Sequence, residues 1–259
     1  MHIAILTFDG FNELDSLIAL GILNRIKKPD WSVSLACPTP TVTSMNGVML
    51  HAQCSLADAC AADAVLVGSG MKTRDVANDA GLMAQLLLDP ARQLIGAQCS
   101  GTLLLAKLGL LQQVPACTDL LTKPWVQEAG VDVLNQPFYA KGNVATAGGC
   151  LASQYLAAWV IARFEGAEAA KAAMHYVAPV GEKDLYVDRA LANIAPYLPV
   201  ACERGREQAT SLPAALRFFP GFICMHLVQE IADKEDAHAQ HEYDANDAHD
   251  AVVGGEQVL

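Results

Sequence analysis

The sequence predicts an α/β fold in which a doubly wound, mostly parallel sheet is sandwiched by helices. Two observations predict it. Short apolar segments alternate along the chain with segments of helical character, as is typical of βαβ units. The apolar segments are also hydrophobic at nearly every position, as expected of strands that are buried on both faces. The length of 259 residues suits one large domain of this kind or two small ones.

Each predicted element rests on a local pattern. Apolar runs bounded by turn residues predict strands, and apolar residues at helical spacing predict helices. The Asn46-Gly47 pair indicates a hairpin turn, Asp89-Pro90 ends a helix, and Gly148-Gly149 precedes another. In chain order we predict a strand over 2–8, a helix over 14–26, a strand over 32–36, a hairpin over 41–52, a strand over 64–67, a helix over 75–88, a strand over 93–98, a helix over 102–108, strands over 131–134 and 143–146, and helices over 151–164, 167–175 and 183–194.

The charge of the chain is unevenly distributed. The sequence carries 17 Lys and Arg against 28 Asp and Glu, a net charge of −11, and residues 201–259 alone hold 4 basic and 11 acidic residues, a net of −7. We therefore predict an α/β domain over residues 1–198 and an acidic, partly disordered extension over 199–259. The acidic balance disfavours a nucleic-acid partner, since nucleic acid binds to a basic face.

The cysteines and the N-terminus indicate the compartment. Eight cysteines are spread along the chain without a CxxC pair or a repeated spacing. The first residues lack the basic region of a signal peptide, and no apolar run reaches membrane-spanning length. We therefore expect a reduced, cytoplasmic chain with no membrane partner, in which most cysteines are small buried residues.

Reactive residues are sought where ligands bind in such a fold, beyond the carboxyl ends of the strands. Cys99 directly follows a predicted strand, and Ser100 and Gly101 lead into a helix. A reactive residue with small neighbours between a strand and a helix is typical of a nucleophile elbow. There the helix N-terminus is expected to lower the pKa of the thiol, and the Ser100 N–H is expected to bind an anion. The alternative is that Cys99 only fills space at a tight turn.

Four segments of the chain carry a family resemblance. They are residues 9–15 (DGFNELD), 67–70 (VGSG), 97–111 (AQCSGTLLLAKLGLL) and 146–149 (TAGG). With them, about residues 1–198 resemble the ThiJ/PfpI superfamily, whose fold is the flavodoxin-like, class I glutamine-amidotransferase-like α/β fold. In that family the first segment presents an acidic residue to the cysteine, the second donates a backbone N–H, and the third is the nucleophile elbow.

The residue after the cysteine points to one branch of that family. Ser100 stands where the peptidase and glyoxalase-like branches have a nearby His, and the downstream His-x-Glu of the amidotransferases is missing from residues 1–198. A hydroxyl residue there, with an Asp in the first loop, is similar to the isonitrile hydratases. The resemblance implies that Cys99, Asp15 and Ser100 are catalytic and that the Gly70 and Ser100 N–H groups bind the substrate. Glu13 remains an alternative to Asp15 as the acid.

The chain also departs from that family pattern. Ser100 replaces the usual Thr, the second segment lacks the family's Pro and first Gly, and Asp119 and Leu120 stand where the family has His and Trp. These departures concern the substrate more than the nucleophile. The implied reaction is hydration of an isonitrile to an N-substituted formamide, with Cys99 as nucleophile and Asp15 as acid and then base. No cofactor and no metal ion are implied.

Other residues and functions stay open. Gly148, Gly149, Cys150 and His175 are candidates to line the pocket, and His238, His241 and His249 lie among acidic residues that could hold a metal ion, although solvated disorder explains them better. The alternative functions are a cysteine-based redox or ligand sensor with little turnover, and a glyoxalase or deglycase that acts on methylglyoxal. The expected partners are a small-molecule substrate and a second copy of the chain, since family members are often homodimers.

Overall fold

The computed structural model describes residues 1–199 of the chain. Strands and helices alternate through this part. In chain order they are β1 (His2–Leu6), α1 (Glu13–Leu23), β2 (Ser32–Ala36), β3 (Thr41–Thr43), β4 (Met49–His51), α2 (Leu56–Ala61), β5 (Ala64–Val67), α3 (Thr73–Asn78), α4 (Ala80–Met83), β6 (Leu94–Gln98), α5 (Gly101–Lys107), α6 (Lys123–Glu128), β7 (Phe138–Lys141), β8 (Val144–Ala147), α7 (Ser153–Glu165), α8 (Ala167–Val177) and α9 (Lys183–Ile194). Residues Cys150–Ala152 and Ala195–Tyr197 form short 3₁₀ turns.

Six strands form one sheet in the order β2-β1-β5-β6-β8-β7. Neighbouring strands run parallel except at the edge, where β7 pairs antiparallel with β8. β3 and β4 pair as the predicted hairpin outside this sheet. The predicted doubly wound, mostly parallel α/β fold is therefore confirmed. Because β1, β5, β6 and β8 are parallel, the loops that follow their carboxyl ends meet at one edge of the sheet.

The sheet is buried on both faces. In β1, Ile3 and Ile5 belong to the apolar cluster that contains Trp159 of α7, whereas Ala4 and Leu6 belong to the cluster that contains Leu104 of α5. These four of the five residues of β1 are almost completely buried. This explains why the strand is apolar at successive positions, because each face of the sheet packs against its own layer of helices.

Two predicted elements differ in the structure. The helix predicted over 75–88 is two short helices, α3 and α4, because Asp79 leaves the helical conformation (ψ 95°) and caps α4 by accepting the N–H of Leu82. The strand predicted over 131–134 forms one isolated bridge, between Ala116 and Val133. Its alternating valines are buried against the helical layer, so their apolar character reflects core packing rather than sheet pairing.

Three short elements are missing from the sequence prediction: α2, α6 and β7. The N-terminus of α2 carries a capping box, in which Ser55 and Asp58 bond each other's backbone N–H groups, and this Ser-x-x-Asp pattern is visible in the sequence. β7 is a short edge strand whose pairing depends on β8, with Phe138 and Ala140 buried.

Part of the chain lies outside this description. The predicted acidic extension, apart from its first residue, falls outside residues 1–199, and so do the histidines of the suggested tail metal site. Within the described range, none of the helices combines the length and the apolar character needed to cross a membrane.

Candidate active site

Cys99 lies at a strained turn between β6 and α5. Its φ is +46°, a left-handed conformation that residues other than glycine rarely adopt. The turn is fixed by two hydrogen bonds: the Cys99 N–H donates to the Ala147 carbonyl (2.8 Å), and the Cys99 carbonyl accepts from the Thr118 hydroxyl (2.7 Å). Strain of this kind costs about 1–3 kcal/mol and is typical of functional sites. The geometry is that of the predicted elbow.

Gly101 allows α5 to begin directly after this turn. A Cβ atom on Gly101 would lie 2.6 Å from the carbonyl oxygen of Val67, at the end of β5. Any larger residue would push the start of α5 away from the sheet and move the elbow with it. The small residue that the sequence places two positions after Cys99 therefore has a packing reason.

Asp15 reaches the same edge of the sheet from the first turn of α1. That helix begins after Asn12, whose side-chain oxygen accepts the N–H of Leu14 (3.1 Å). The Asp15 side chain is buried, with 2% of the residue exposed. Its Oδ2 accepts a hydrogen bond from the Ser69 hydroxyl, and its Oδ1 has no partner of ordinary hydrogen-bond geometry among residues 1–199.

Asp15, Cys99 and Cys150 form one cluster. A carboxylate oxygen of Asp15 and the two Sγ atoms all lie within 4.8 Å of one another. Cys150 is half-buried, and its Sγ accepts a hydrogen bond from Nδ2 of Asn12 (3.2 Å). The cluster offers a thiophilic metal ion such as Zn²⁺ three ligand atoms, one fewer than a closed structural site uses.

The charges of the cluster oppose one another. Burial raises the pKa of the Asp15 carboxyl, and the hydrogen bond from Ser69 partly offsets this. Burial also raises the pKa of the Cys99 thiol, and the Asp15 carboxylate raises it further. The expected lowering of the thiol pKa by a helix N-terminus is therefore wrong: α5 has only seven residues, and burial beside a carboxylate outweighs its dipole. Two ionised groups cannot share this space, so the pair retains a proton.

Ser100 and Gly70 bind each other. The Gly70 N–H donates to Oγ of Ser100 (3.2 Å), and this hydroxyl also shares a hydrogen bond with the Thr73 hydroxyl (2.7 Å). The Gly70 donor predicted for a substrate is thus occupied by Ser100. The Ser100 N–H, in contrast, has no hydrogen-bond partner within the described part of the chain, so it is the better candidate to bind an anion.

The cluster opens into a cleft of about 890 Å³. Apolar residues with exposed side chains form much of its wall, and Asp119 lies on it, fixed by accepting the N–H groups of Leu121 and Thr122 (both 2.9 Å). The Asp119 carboxylate contributes to the raised pKa of both Asp15 and Cys99. The lining residues are Asn12, Met45, Ser69, Gly70, Met71, Cys99, Ser100, Thr118, Asp119, Leu120, Leu121, Thr122, Lys123, Trp125, Val133, Leu134, Asn135, Gln136, Pro137, Gly148, Gly149 and Cys150.

Three of the four predicted lining residues lie on this cleft, namely Gly148, Gly149 and Cys150. His175 does not. It is exposed on α8 and borders a separate depression beside residues 181–185. α8 packs through Ala170, Ala173 and Met174, which leaves His175 on the opposite side of the helix, and its prediction as a lining residue is corrected.

Glu13, the alternative acid, lies away from the cluster. Its carboxylate accepts hydrogen bonds from the Ser44 hydroxyl and from Nδ2 of Asn46 (2.9 Å for the latter), and these bonds lower its pKa. It therefore joins α1 to the β3–β4 hairpin. Only Asp15 of these two carboxylates contacts the region of the Cys99 thiol.

Two contacts of the cluster were not assigned from the sequence. One is the Ser69 hydroxyl on Asp15, and the other is the Asn12 amide on Cys150. Ser69 had a visible signal, because it introduces a hydroxyl into a loop that is otherwise glycine. Asn12 had none, because its contact with Cys150 depends on the three-dimensional approach of α1 to the turn after β8.

A model described as the DJ-1/PfpI family matches residues 1–163. No curated protein sequence matches the chain at a significant level.

Solved structures resemble the chain in fold. DJ-1 of Schizosaccharomyces pombe superposes with a TM-score of 0.59 at 17% identity, covering 69% of this chain and 100% of its own. A ThiJ/PfpI family protein from Pseudomonas syringae gives 0.61 at 17% identity, with coverage of 75% and 87%. A cysteine-to-alanine mutant of a DJ-1 superfamily protein from Salmonella typhimurium gives 0.59 at 22% identity, with coverage of 69% and 98%.

Proposed function

The chain belongs to the DJ-1/PfpI family, and from that premise we propose that it is a cysteine-dependent enzyme that hydrates a small isonitrile to an N-substituted formamide. One observation carries the proposal: the buried Asp15 carboxyl lies within 4.8 Å of the Cys99 sulfur. The nucleophile, which lies on the wall of the cleft, thus has a buried group that can hold a proton directly beside it.

This pairing suits the terminal carbon of an isonitrile. That carbon must gain a bond to sulfur and a bond to hydrogen in the same step. Burial raises the pKa of the Asp15 carboxyl, which makes it a better proton carrier than an exposed aspartate. The raised pKa of the Cys99 thiol means that the thiol must be deprotonated as it attacks, and the Asp15 carboxylate is the base beside it.

The reaction then proceeds through one covalent intermediate. The Cys99 sulfur bonds to the isonitrile carbon while its proton passes through Asp15 to that carbon, which gives a thioimidate. Water adds across the C=N bond, with its oxygen on carbon and one proton moved to nitrogen by Asp15. The hydroxyl proton passes to sulfur as the C–S bond breaks, which releases the formamide and restores the thiol. The sum is one isonitrile and one water converted to one formamide.

The cleft wall supports an apolar substituent on the isonitrile. Met71, Leu120 and Leu121 have exposed apolar side chains at the cleft, and an apolar substituent would bury part of that surface. Neutral isonitriles also avoid the cost of placing a further negative charge beside Asp15 and Asp119. The substrate class proposed is therefore a neutral, small, alkyl or aryl isonitrile.

Histidine chemistry is a weaker explanation of the site. The described part of the chain places no histidine on the cleft. An amidotransferase or a glyoxalase-like enzyme, in contrast, is expected to have a histidine near the cysteine. A sensor without turnover uses the same cysteine and differs only in rate. The homodimer and the cytoplasmic location stay predictions.

A side-by-side assay tests the proposal. Full-length protein is incubated with a small alkyl isonitrile or with methylglyoxal, and formamide and lactate are quantified. We expect formamide from the wild type and from Glu13→Gln, because Glu13 contacts the β3–β4 hairpin rather than the cluster, and none from Cys99→Ala. Formamide production by Cys99→Ala would refute the role of Cys99 as the nucleophile. Turnover of methylglyoxal alone would refute the substrate class, and no turnover of either would favour the sensor.

A further inference from the structure

We propose that Cys150 is a resolving thiol, which forms a reversible disulfide with Cys99 after a hydroperoxide oxidises Cys99. The inference rests on the proposed function only in taking Cys99 as the reactive thiol of the cleft. It gives the site an off state that no step of the isonitrile reaction requires.

The fold holds the two cysteines together. Cys99 directly follows β6, and Cys150 follows β8, the neighbouring parallel strand. A side-chain hydrogen bond joins the two turns, because Nε2 of Gln98 donates to the Gly149 carbonyl (2.8 Å). The two Sγ atoms lie within 4.8 Å of each other, and both cysteines line the same cleft.

The remaining approach between the sulfurs is small. A disulfide has an S–S distance of about 2.05 Å, so closing it from the observed separation requires side-chain rotation and a limited backbone shift. Cys99 is fixed at both of its backbone groups, as described above. Cys150 begins a three-residue 3₁₀ turn after Gly149, whose φ of +91° and open surroundings give this turn room to adjust. We therefore assign the movement to Cys150.

The oxidation balances with a hydroperoxide as the oxidant. The Cys99 sulfur attacks one peroxide oxygen, the O–O bond breaks, and the departing oxygen takes the thiol proton through Asp15, which leaves a sulfenic acid and an alcohol or water. The Cys150 sulfur then attacks the Cys99 sulfur, the S–O bond breaks, and the oxygen leaves as water with the Cys150 proton. The two thiols lose two electrons in total, and the hydroperoxide gains them.

The surroundings of Cys150 suit the second step. Burial and the Asp15 carboxylate raise the pKa of the Cys150 thiol, so it keeps its proton until a base removes it. Asp15 is within reach as that base, and the Asn12 amide donates to the Cys150 sulfur as negative charge develops there.

The other described cysteines do not compete. Cys37 and Cys117 are buried in the core, and Cys54 and Cys60 are half-buried away from the cleft. Cys60 serves as a matched control, because it is half-buried like Cys150 and its sulfur also makes hydrogen bonds, with the Gln85 carbonyl and the Leu87 N–H.

Peptide mass spectrometry tests the proposal. Reduced full-length protein is treated with hydrogen peroxide in the presence of a chelator, free thiols are alkylated, and the chain is cut with trypsin. Cys99 falls in the peptide 93–107 and Cys150 in the peptide 142–163, each with a single cysteine. We expect these two peptides joined, with the mass of two hydrogens lost, and separated again by dithiothreitol.

Two cysteine variants are compared with the wild type in the same experiment. In Cys150→Ser the cross-link should be lost and Cys99 should gain two oxygens as sulfinic acid, whereas Cys60→Ser should cross-link like the wild type. Wild-type Cys99 that gains oxygens as fast as in Cys150→Ser, or that links to another cysteine, would overturn the proposal. The readout does not use isonitrile turnover: a cross-link without turnover would defeat only the proposed function, and turnover without a cross-link only this inference.

Discussion

Asp15→Asn should lower activity and raise stability at once. The substitution nearly preserves the shape of the side chain, and the amide oxygen can still accept the hydrogen bond from Ser69. It removes the buried negative charge and the group that carries the proton. The two effects have opposite signs because a buried carboxylate that serves the reaction costs stability in the folded protein.

The magnitudes follow from the surroundings of Asp15. Loss of a positioned acid and base lowers the rate about 10²–10⁴-fold, which is about 3–5 kcal/mol in activation free energy. Asp15→Asn replaces the charged form, which burial disfavours, with a neutral amide; the amide nitrogen takes the place of Oδ1 and stays without an ordinary partner among the described residues, so the gain comes from the charge alone. Each pKa unit by which burial raises this carboxyl corresponds to about 1.4 kcal/mol, and the free energy of unfolding above the raised pKa should increase accordingly.

The pH dependence of stability also gives the sign of the effect of Asp15→Asn on the free energy of unfolding. Burial raises the folded-state pKa of Asp15 above its usual value. A group of this kind contributes stability that is fully present below its unfolded pKa and is lost as pH rises through its folded pKa. The stability gained by Asp15→Asn relative to the wild type should thus be largest at neutral pH and should shrink as pH falls through the raised pKa.

Urea unfolding at several pH values, together with formamide production, measures both effects. Glu13→Gln is the matched control, because hydrogen bonds lower the pKa of Glu13, so it should show neither the rate loss nor the stability gain. Equal or lower stability of Asp15→Asn at neutral pH would refute the raised pKa. Wild-type activity in Asp15→Asn would refute its role as proton carrier.

Three further substitutions test the structure of the site. Gly101→Ala should cost about 1–3 kcal/mol of unfolding free energy, since its Cβ would lie 2.6 Å from a β5 carbonyl oxygen; unchanged urea unfolding would contradict this packing. Ser69→Ala removes a hydrogen bond that lowers the pKa of Asp15, so the acidic limb of the kcat/KM profile should move to higher pH, and an unmoved limb would argue against the contact. Asp119→Asn removes a charge that raises the pKa of Cys99, so iodoacetamide should alkylate Cys99 faster at neutral pH; an unchanged rate would count against this electrostatic effect.

The sequence predicted the parts of the molecule that depend on local patterns. The strand over 64–67 and the helix over 183–194 have the predicted bounds, because each is bracketed by residues that end such elements. The elbow at Cys99 was visible for the same reason: a strand, a reactive residue and two small residues follow one another. The prediction of one helix over 75–88 was wrong because one residue, Asp79, caps a second helix instead of continuing the first.

Long-range contacts explain most of what the sequence did not show. The pKa direction of the Cys99 thiol depends on burial and on Asp15, which is distant in the chain, so the local helix dipole was a misleading guide. The approach of Cys150 to Cys99 depends on the pairing of β6 with β8. His175 was misplaced because helical periodicity alone did not tell which side of α8 packs on the core.

The proposed reaction depends on a covalent bond between the Cys99 sulfur and the substrate carbon. Full-length protein is mixed with an isonitrile, the reaction is quenched during turnover with borohydride to reduce the thioimidate, and the tryptic peptides are weighed. We expect peptide 93–107 to gain the mass of the isonitrile and the added hydrogen atoms at Cys99. An unmodified peptide 93–107 while formamide accumulates, with equal formamide from Cys99→Ala, would contradict it.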